Sequence, residues 1–280
     1  MTTLQDRAML VTLTISEWTN RRYDKQVSAE VETTHGAKDA GRYNKILVDR
    51  KTLEPISKVL GAAYAYHIGK TLPWADKGDR LLPGSLFMDY TDSMRQYKSE
   101  VEKRVNDFKA IYPQLVQDAR NRLKTMYNPA DYPDVKDIGE RFAINVSFSP
   151  VPSAGDFRVN LNEEYVESIK SEITERTNAR QVEALNHCWS RIRDVVGKIH
   201  ERLADQDAVF RDSLISNARE LVEVLPHLNL TNDPALAKAE AEVRALLLDP
   251  AALRTNPSAR SETAKRAADI LSRLPWTGGN

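Results

Sequence analysis

Apolar and polar residues alternate first over residues 9–18. Leu13 and Ile15 are interleaved with Thr12, Thr14 and Ser16, and β-branched side chains dominate, which predicts a strand. Asn20-Arg21-Arg22 ends it; a polar stretch follows, with Val27 and Val31 at helical spacing but little else to bury, and Gly36 and Gly41 bracket a loop. From Tyr43 to Lys70 the apolar positions predict two helical pieces. Pro55 lies near the start of the second, and Gly69 and Pro73 mark its end. A long helix is expected from Asp92 to Met126, because Met94, Tyr97, Val101, Val105, Phe108, Tyr112, Leu115 and Ala119 recur at three- and four-residue steps around Pro113. Phe142, Ile144, Val146 and Phe148 then alternate with polar residues, as do Phe157, Val159 and Leu161. Joined by the proline-rich Ser149–Gly155 link, they read as a wide hairpin. With residues 9–18 this makes a small antiparallel sheet of about three strands.

The most regular pattern comes later. Val182, Leu185, Trp189, Ile192, Val196, Ile199 and Leu203 step 3-4-3-4-3-4, a heptad seam inside a helical region running from residue 163 to about 225. Its phase extends through Gln206 and Phe210 towards Leu214 and Leu221, and Gly197 and Asp205-Gln206-Asp207 are the expected bends. A 3.5-residue period keeps a buried stripe facing a partner helix. That partner is either intramolecular, with helix 94–126 as the candidate, or a second copy of the chain. Charge suits the first option: residues 95–124 carry eight bases and four acids, and residues 200–250 five bases and ten acids. Asp233-Pro234 and Asp249-Pro250 each place a capping aspartate before a first-turn proline, so short helices start there. The fold class expected is α+β, mainly α, with long coiled-coil-like helices. A core domain spans 1–225 and a helical module 226–280.

Composition narrows the function classes. Forty basic and 40 acidic residues in 280 give zero net charge, and no segment approaches a membrane-spanning length. No secretory signal opens the chain, so a cytoplasmic protein is expected. The one cysteine, Cys188, allows no intrachain disulfide and no multi-cysteine zinc site. The five histidines form no His-x-x-x-His unit, and His187 and Cys188, adjacent on a helix, point about 100° apart. Gly69-Lys70-Thr71 lacks the earlier glycine of a phosphate loop, since Tyr64 holds that position, and it follows a helix. No catalytic residue, metal or cofactor is therefore expected, and the chain reads as non-enzymatic.

Two binding patterns are left. Arg21, Arg22, Arg141 and Arg158 lie close in sequence to Trp18, Tyr23, Phe142 and Phe157, the mixture of phosphate pairing and stacking that grips single-stranded nucleic acid. The C-terminal Arg254, Arg260, Lys265 and Arg266 form a further basic set. The loop from Leu72 to Pro83 is rich in proline and apolar residues, and is either packed or a partner contact through Trp74 and Arg80.

This loop, with Asp131-Tyr-Pro133, Phe142-x-Ile-x-Val-x-Phe-x-Pro-Val-Pro152 and Asp156-Phe-Arg-Val159, resembles a family of bacteriophage and prophage proteins catalogued as a domain of unknown function. The resemblance covers about residues 10–225. It implies a phage-encoded protein in the cytoplasm of an infected bacterium, with an ATPase as one possible partner, and it brings no catalytic residues. The expectation is a self-associating interaction or scaffold protein. Single-stranded DNA binding or annealing is one alternative, and inhibition of a bacterial defence system is another.

Overall fold

A computed structural model describes residues 3–75, 78–156, 163–205 and 207–275. In it the chain is mainly helical with a small antiparallel sheet, the α+β class that the patterning predicts. It forms two compact units. The first comprises residues 1–12, 66–90 and 147–280, and the second 13–65 and 91–146. The boundary expected near residue 226 falls inside the first unit, because the helices beyond it pack on the helix that precedes it.

The first unit opens with a turn, α1 (Leu4–Arg7), closed by a capping box in which Thr3 and Asp6 serve each other's backbone. Strand β1 (Ala8–Ser16) follows, and its first residues pair antiparallel with β5 (Asp79–Pro83), Ala8 opposite Pro83 and Thr12 opposite Asp79. A two-residue strand, β4 (Leu72–Pro73), pairs with the other side of β5. The sheet order is β4-β5-β1-β6, with β6 covering Ala143–Pro150. The segment expected as an irregular loop thus supplies two strands, because Leu72, Leu81 and Leu82 are buried and their backbone polar groups need partners. The second hairpin strand, expected over 157–161, lies outside the described residues.

Helix α6 (Glu163–Ala204) runs 42 residues, about 63 Å at ~1.5 Å per residue. It then stops, and α7 (Ser213–Leu228) begins only after a break. Gly197 lies inside α6 without ending it, whereas the break comes at the aspartate patch. Three short helices follow: α8 (Pro234–Arg244), α9 (Pro250–Thr255) and α10 (Pro257–Arg273). Asp233 and Asp249 cap the first two with proline in the first turn, and Asn256 caps the third. Helix α6 packs chiefly on α10, and also on α7 and α8. The helix expected as its partner belongs, from Thr91 onward, to the other unit.

The second unit is built on α3 (Glu54–Lys70) and α4 (Phe87–Leu123), each of which has residues in both units. Pro55 sits in the first turn of α3, where its missing N–H costs least, and Pro113 is accommodated within α4. From α4, Val101, Val105, Phe108 and Tyr112 point into a core shared with Trp18, Leu47, Ile56, Leu60, Ile138 and Phe142. Aromatic rings dominate it: Trp18 meets Tyr112 edge-on at 6.0 Å and Phe108 at 6.3 Å, and Phe108 meets Phe142 at 6.1 Å. A single helical turn, α5 (Val135–Ile138), inserts Ile138.

Beside this core stand a two-stranded ribbon, β2 (Arg21–Tyr23) with β3 (Asn44–Ile46), and the helix α2 (Lys25–His35) that joins them. The ribbon is not evident in the hydrophobic pattern, and α2 shows in it only as Val27 and Val31 at helical spacing. In α2 the residue that is fully buried is Ser28, so its ends are held by caps instead. Asp24 accepts from Val27 N–H, and Gly36, at φ +60°, closes the last turn in the left-handed region that glycine enters freely.

Candidate nucleic-acid interface

The ribbon is pinned at both ends by polar side chains. Asn20 adopts φ +54°, a region asparagine tolerates. Its buried amide donates to Val48 O at 2.7 Å and accepts from Val48 N–H at 2.8 Å, copying a strand pair where the ribbon meets the core. At the far end Asp24 N–H donates to Tyr43 O, and Tyr43 N–H donates to Ser28 Oγ. Arg122 of α4 fastens the base by donating to the carbonyls of Ile46 and Leu47.

Between these pins the register sets Arg22 opposite Lys45 and Tyr23 opposite Asn44. The two faces of a ribbon alternate, so Arg22 and Lys45 share one face and Arg21 and Tyr23 the other. Lys45 is nearly sealed, at 6% exposed, with Nζ 2.8 Å from Asp131 Oδ2, 3.1 Å from Asp24 Oδ2 and 2.8 Å from Met126 O. Burial alone would lower its pKa, but the two carboxylates prevail and the ammonium is held above its ordinary range. Asp24 is correspondingly held low, first by the Val27 N–H and then by Lys45. Arg22 completes the network at 3.4 Å from Asp131, yet its side chain stays 63% exposed. Two cations and two carboxylates make the network neutral, so the charge the ribbon shows to solvent is arginine.

On the opposite face, the Arg42 guanidinium lies 5.8 Å from the centre of the Tyr23 ring. Arg21, Arg22, Tyr23, Arg42 and Tyr43 are all exposed. One ribbon therefore displays three guanidinium groups and two phenol rings. Arg21 and Arg22 are legible from sequence. Arg42 and Tyr43 are not, because Arg42 only follows the loop bracketed by Gly36 and Gly41 and Tyr43 opens a stretch that reads as helix; the pairing of β2 with β3 brings Arg42 beside Tyr23. The unit that carries the ribbon holds 19 basic and 16 acidic residues, a net charge of +3, against 21 and 24 in the other, a net −3.

The remaining expected site residues fare differently. Arg141 is exposed before β6, without a bond to the ribbon, and Arg158 lies outside the described residues. Of the seam, Trp189, Ile192, Val196, Ile199 and Leu203 are buried against the chain's own helices, Leu185 is half-buried, and Val182 is 58% exposed. From Trp189 to Leu203 the seam packs within the chain. The stripe also shifts, taking in Ala184 and Cys188 instead of Val182 and Leu185.

Trp74 and Arg80 do not form a free partner loop. Trp74 is buried, while Arg80 donates from Nε to Thr71 Oγ1 at 2.7 Å and from Nη2 to Thr71 O at 3.2 Å. Arg191 donates to Gly69 O at 2.9 Å. These two cations gather the carbonyls at the carboxyl end of α3, where the helix dipole favours positive charge. Beside them, burial and then the Arg80 charge push His67 down to about 4, and its Nδ1 lies 2.7 Å from the Tyr90 hydroxyl. Burial, then Arg191 and Arg80, lowers His187 likewise to about 4. Burial pushes the Cys188 thiol up to about 12, far from the thiolate a nucleophile needs. In the C-terminal basic set, Arg260 is buried within the fold. Among the described residues no group of three or more histidine, cysteine or carboxylate side chains is placed to hold a metal, and no helix is long and apolar enough to cross a membrane.

Comparison with protein-family models, with curated proteins and with solved structures gives no match to this chain.

Proposed function

We propose that the chain is a non-catalytic binding protein whose ligand is single-stranded nucleic acid, held on the β2–β3 ribbon. One observation carries this reading: three exposed arginines and two exposed tyrosines on a ribbon fixed at both ends and underpinned by a neutral ion network. Arginines of this kind pair with phosphates, and phenol rings stack on unpaired bases whatever their identity. A ribbon held in one conformation loses little further entropy when the ligand arrives. The phage setting implied by the resemblance suits such a ligand, since copying or recombining a genome exposes single strands.

Three phosphate contacts on a single strand correspond to a salt slope near −2, roughly a 20-fold loss of affinity between 50 and 200 mM salt. Fluorescence anisotropy of a labelled oligothymidylate tests this. Binding at low salt with that slope is expected, and Arg21→Ala combined with Arg42→Ala should weaken it at least about tenfold. Absence of binding at low salt, or equal binding by the variant, sinks the reading.

A protein-partner role is favoured by a separate observation. Tyr165 and Val182 stand 66% and 58% exposed on the amino-terminal half of α6, in a unit whose net charge is opposite to that of the ribbon-bearing one. Val182→Asp separates the two readings, because it should leave oligonucleotide binding unchanged.

A further inference from the structure

The carboxyl end of α3 draws in two guanidinium groups, and their charge is left unbalanced. Arg80 is engaged with Thr71, and Arg191 gives Nη2 to Gly69 O at 2.9 Å. A helix end offers about half a negative charge, against two positive ones here. Among the described residues Arg191 pairs with no carboxylate, although its side chain is half-buried. Its Nη1 is closed off from solvent and has no hydrogen-bond partner. One turn earlier on the same face of α6, His187 Nδ1 is likewise buried and without a partner. Buried polar groups are nearly always paired, and a cation withdrawn from water needs a counter-charge. Space lies alongside: a Cβ on Gly69, whose carbonyl holds Arg191, would meet no atom within 4 Å.

We propose that Arg191 and His187 form a binding site for a tetrahedral oxyanion of the phosphate and sulfate class, with Arg80 adding positive charge from β5. The donors select the anion. A planar carboxylate is held best by the two-pronged edge of one guanidinium, but Arg191 already has one prong on Gly69 O. What is left is Nη1 of Arg191 and the imidazole of His187, single donors on separate side chains, which suit the divergent oxygens of a tetrahedral anion. His187 donates through Nδ1–H, and a bound anion favours its protonated form. Arg191 and Arg80 oppose that protonation; Asp194 and Glu183 favour it, Glu183 being paired with Arg180. Gly69-Lys70-Thr71 fails as a phosphate loop, and this site does not need one, because its donors come from α6. It lies in the first unit and does not rest on the ribbon reading.

Sulfate is the probe, because its charge is constant across the pH range, with chloride at equal ionic strength as the blank. The full-length chain carries Arg21→Ala and Arg42→Ala, so that the ribbon does not compete for the anion. The His187 imidazole is followed by nuclear magnetic resonance. In chloride it should titrate at about 4. Saturating sulfate should raise that midpoint by at least about one pH unit, which means that the protonated form binds sulfate about tenfold more tightly than the neutral one.

Arg191→Met should abolish both the shift and the saturable binding. His187→Gln keeps an N–H donor, so it should still bind sulfate, but without the pH dependence. The response of His187 in the unaltered cluster tests the proposal even where Arg191→Met fails to fold. Acetate at the same concentration should leave His187 unmoved. A His187 resonance indifferent to sulfate, as a bound water in place of the anion would give, overturns the proposal. So does an equal response to acetate, or a response that Arg191→Met leaves intact.

Discussion

The α6 bundle and the β2–β3 ribbon use their residues in opposite ways. In the bundle a regular run of large apolar side chains is sealed inside the chain, with Ile192, Val196, Ile199 and Leu203 at 0% exposure. In the ribbon a short, irregular stretch keeps its arginines and tyrosines in solvent while burying a lysine, which burial alone disfavours. Periodicity reports packing, because a stripe must face something. It does not say whether the facing surface belongs to the same chain. Binding chemistry has no period, and here it appears only where two strands bring separate sequence segments together.

The bundle should break first. Ile192→Asp places an uncompensated carboxylate in a sealed core, and loss of cooperative folding in that unit, seen by circular dichroism and thermal melting, is the expected result. Second in size is the ion network under the ribbon. Lys45→Ala leaves Asp24 and Asp131 facing each other without their shared cation, a loss of about 3–5 kcal/mol by denaturant titration. Adding Asp131→Asn should recover part of it.

Acid should separate the two regions next. His67 and His187 each have a folded pKa of about 4 against an ordinary 6.5, so the unfolded chain binds more protons between those values. Their contribution is complete above about pH 6.5 and is lost as the pH falls towards 4. For the buried His67 the loss is on the order of 3 kcal/mol, and for the half-buried His187 less. Thermal melts from pH 7.5 to 4.5 should show the decline, and a His67→Gln, His187→Gln variant should flatten it. The smallest effect belongs to the ribbon surface. Tyr23→Ala should leave stability within about 0.5 kcal/mol of wild type while weakening oligonucleotide binding by about 1–3 kcal/mol.

Legibility in the sequence follows the same division. The α4 stripe from Val101 to Tyr112 and the Asp-Pro helix starts at 233–234 and 249–250 are local signals, and each stands where it was expected. Strands β4 and β5 were hidden because Pro73 and Pro83 stand in a segment whose leucines are paired only by folding. Helix α2 showed only as Val27 and Val31 at helical spacing, because caps hold it more than burial does. The break after α6 was legible as the aspartate patch at 205–207, but the contacts Arg260 makes to the carbonyls there were not, because that arginine is 52–58 positions away in sequence. Arg21 and Arg22 were visible as a basic pair, but Arg42 over Tyr23 requires the register of the ribbon.

The most direct test of the ribbon as the binding surface is amide chemical-shift mapping on the isotopically labelled chain, titrated with a short oligothymidylate at low salt. Perturbations concentrated at residues 20–24 and 42–46, reversed by salt, are the predicted result. Shifts confined to the helices of the first unit, or none at saturating oligonucleotide, would contradict it.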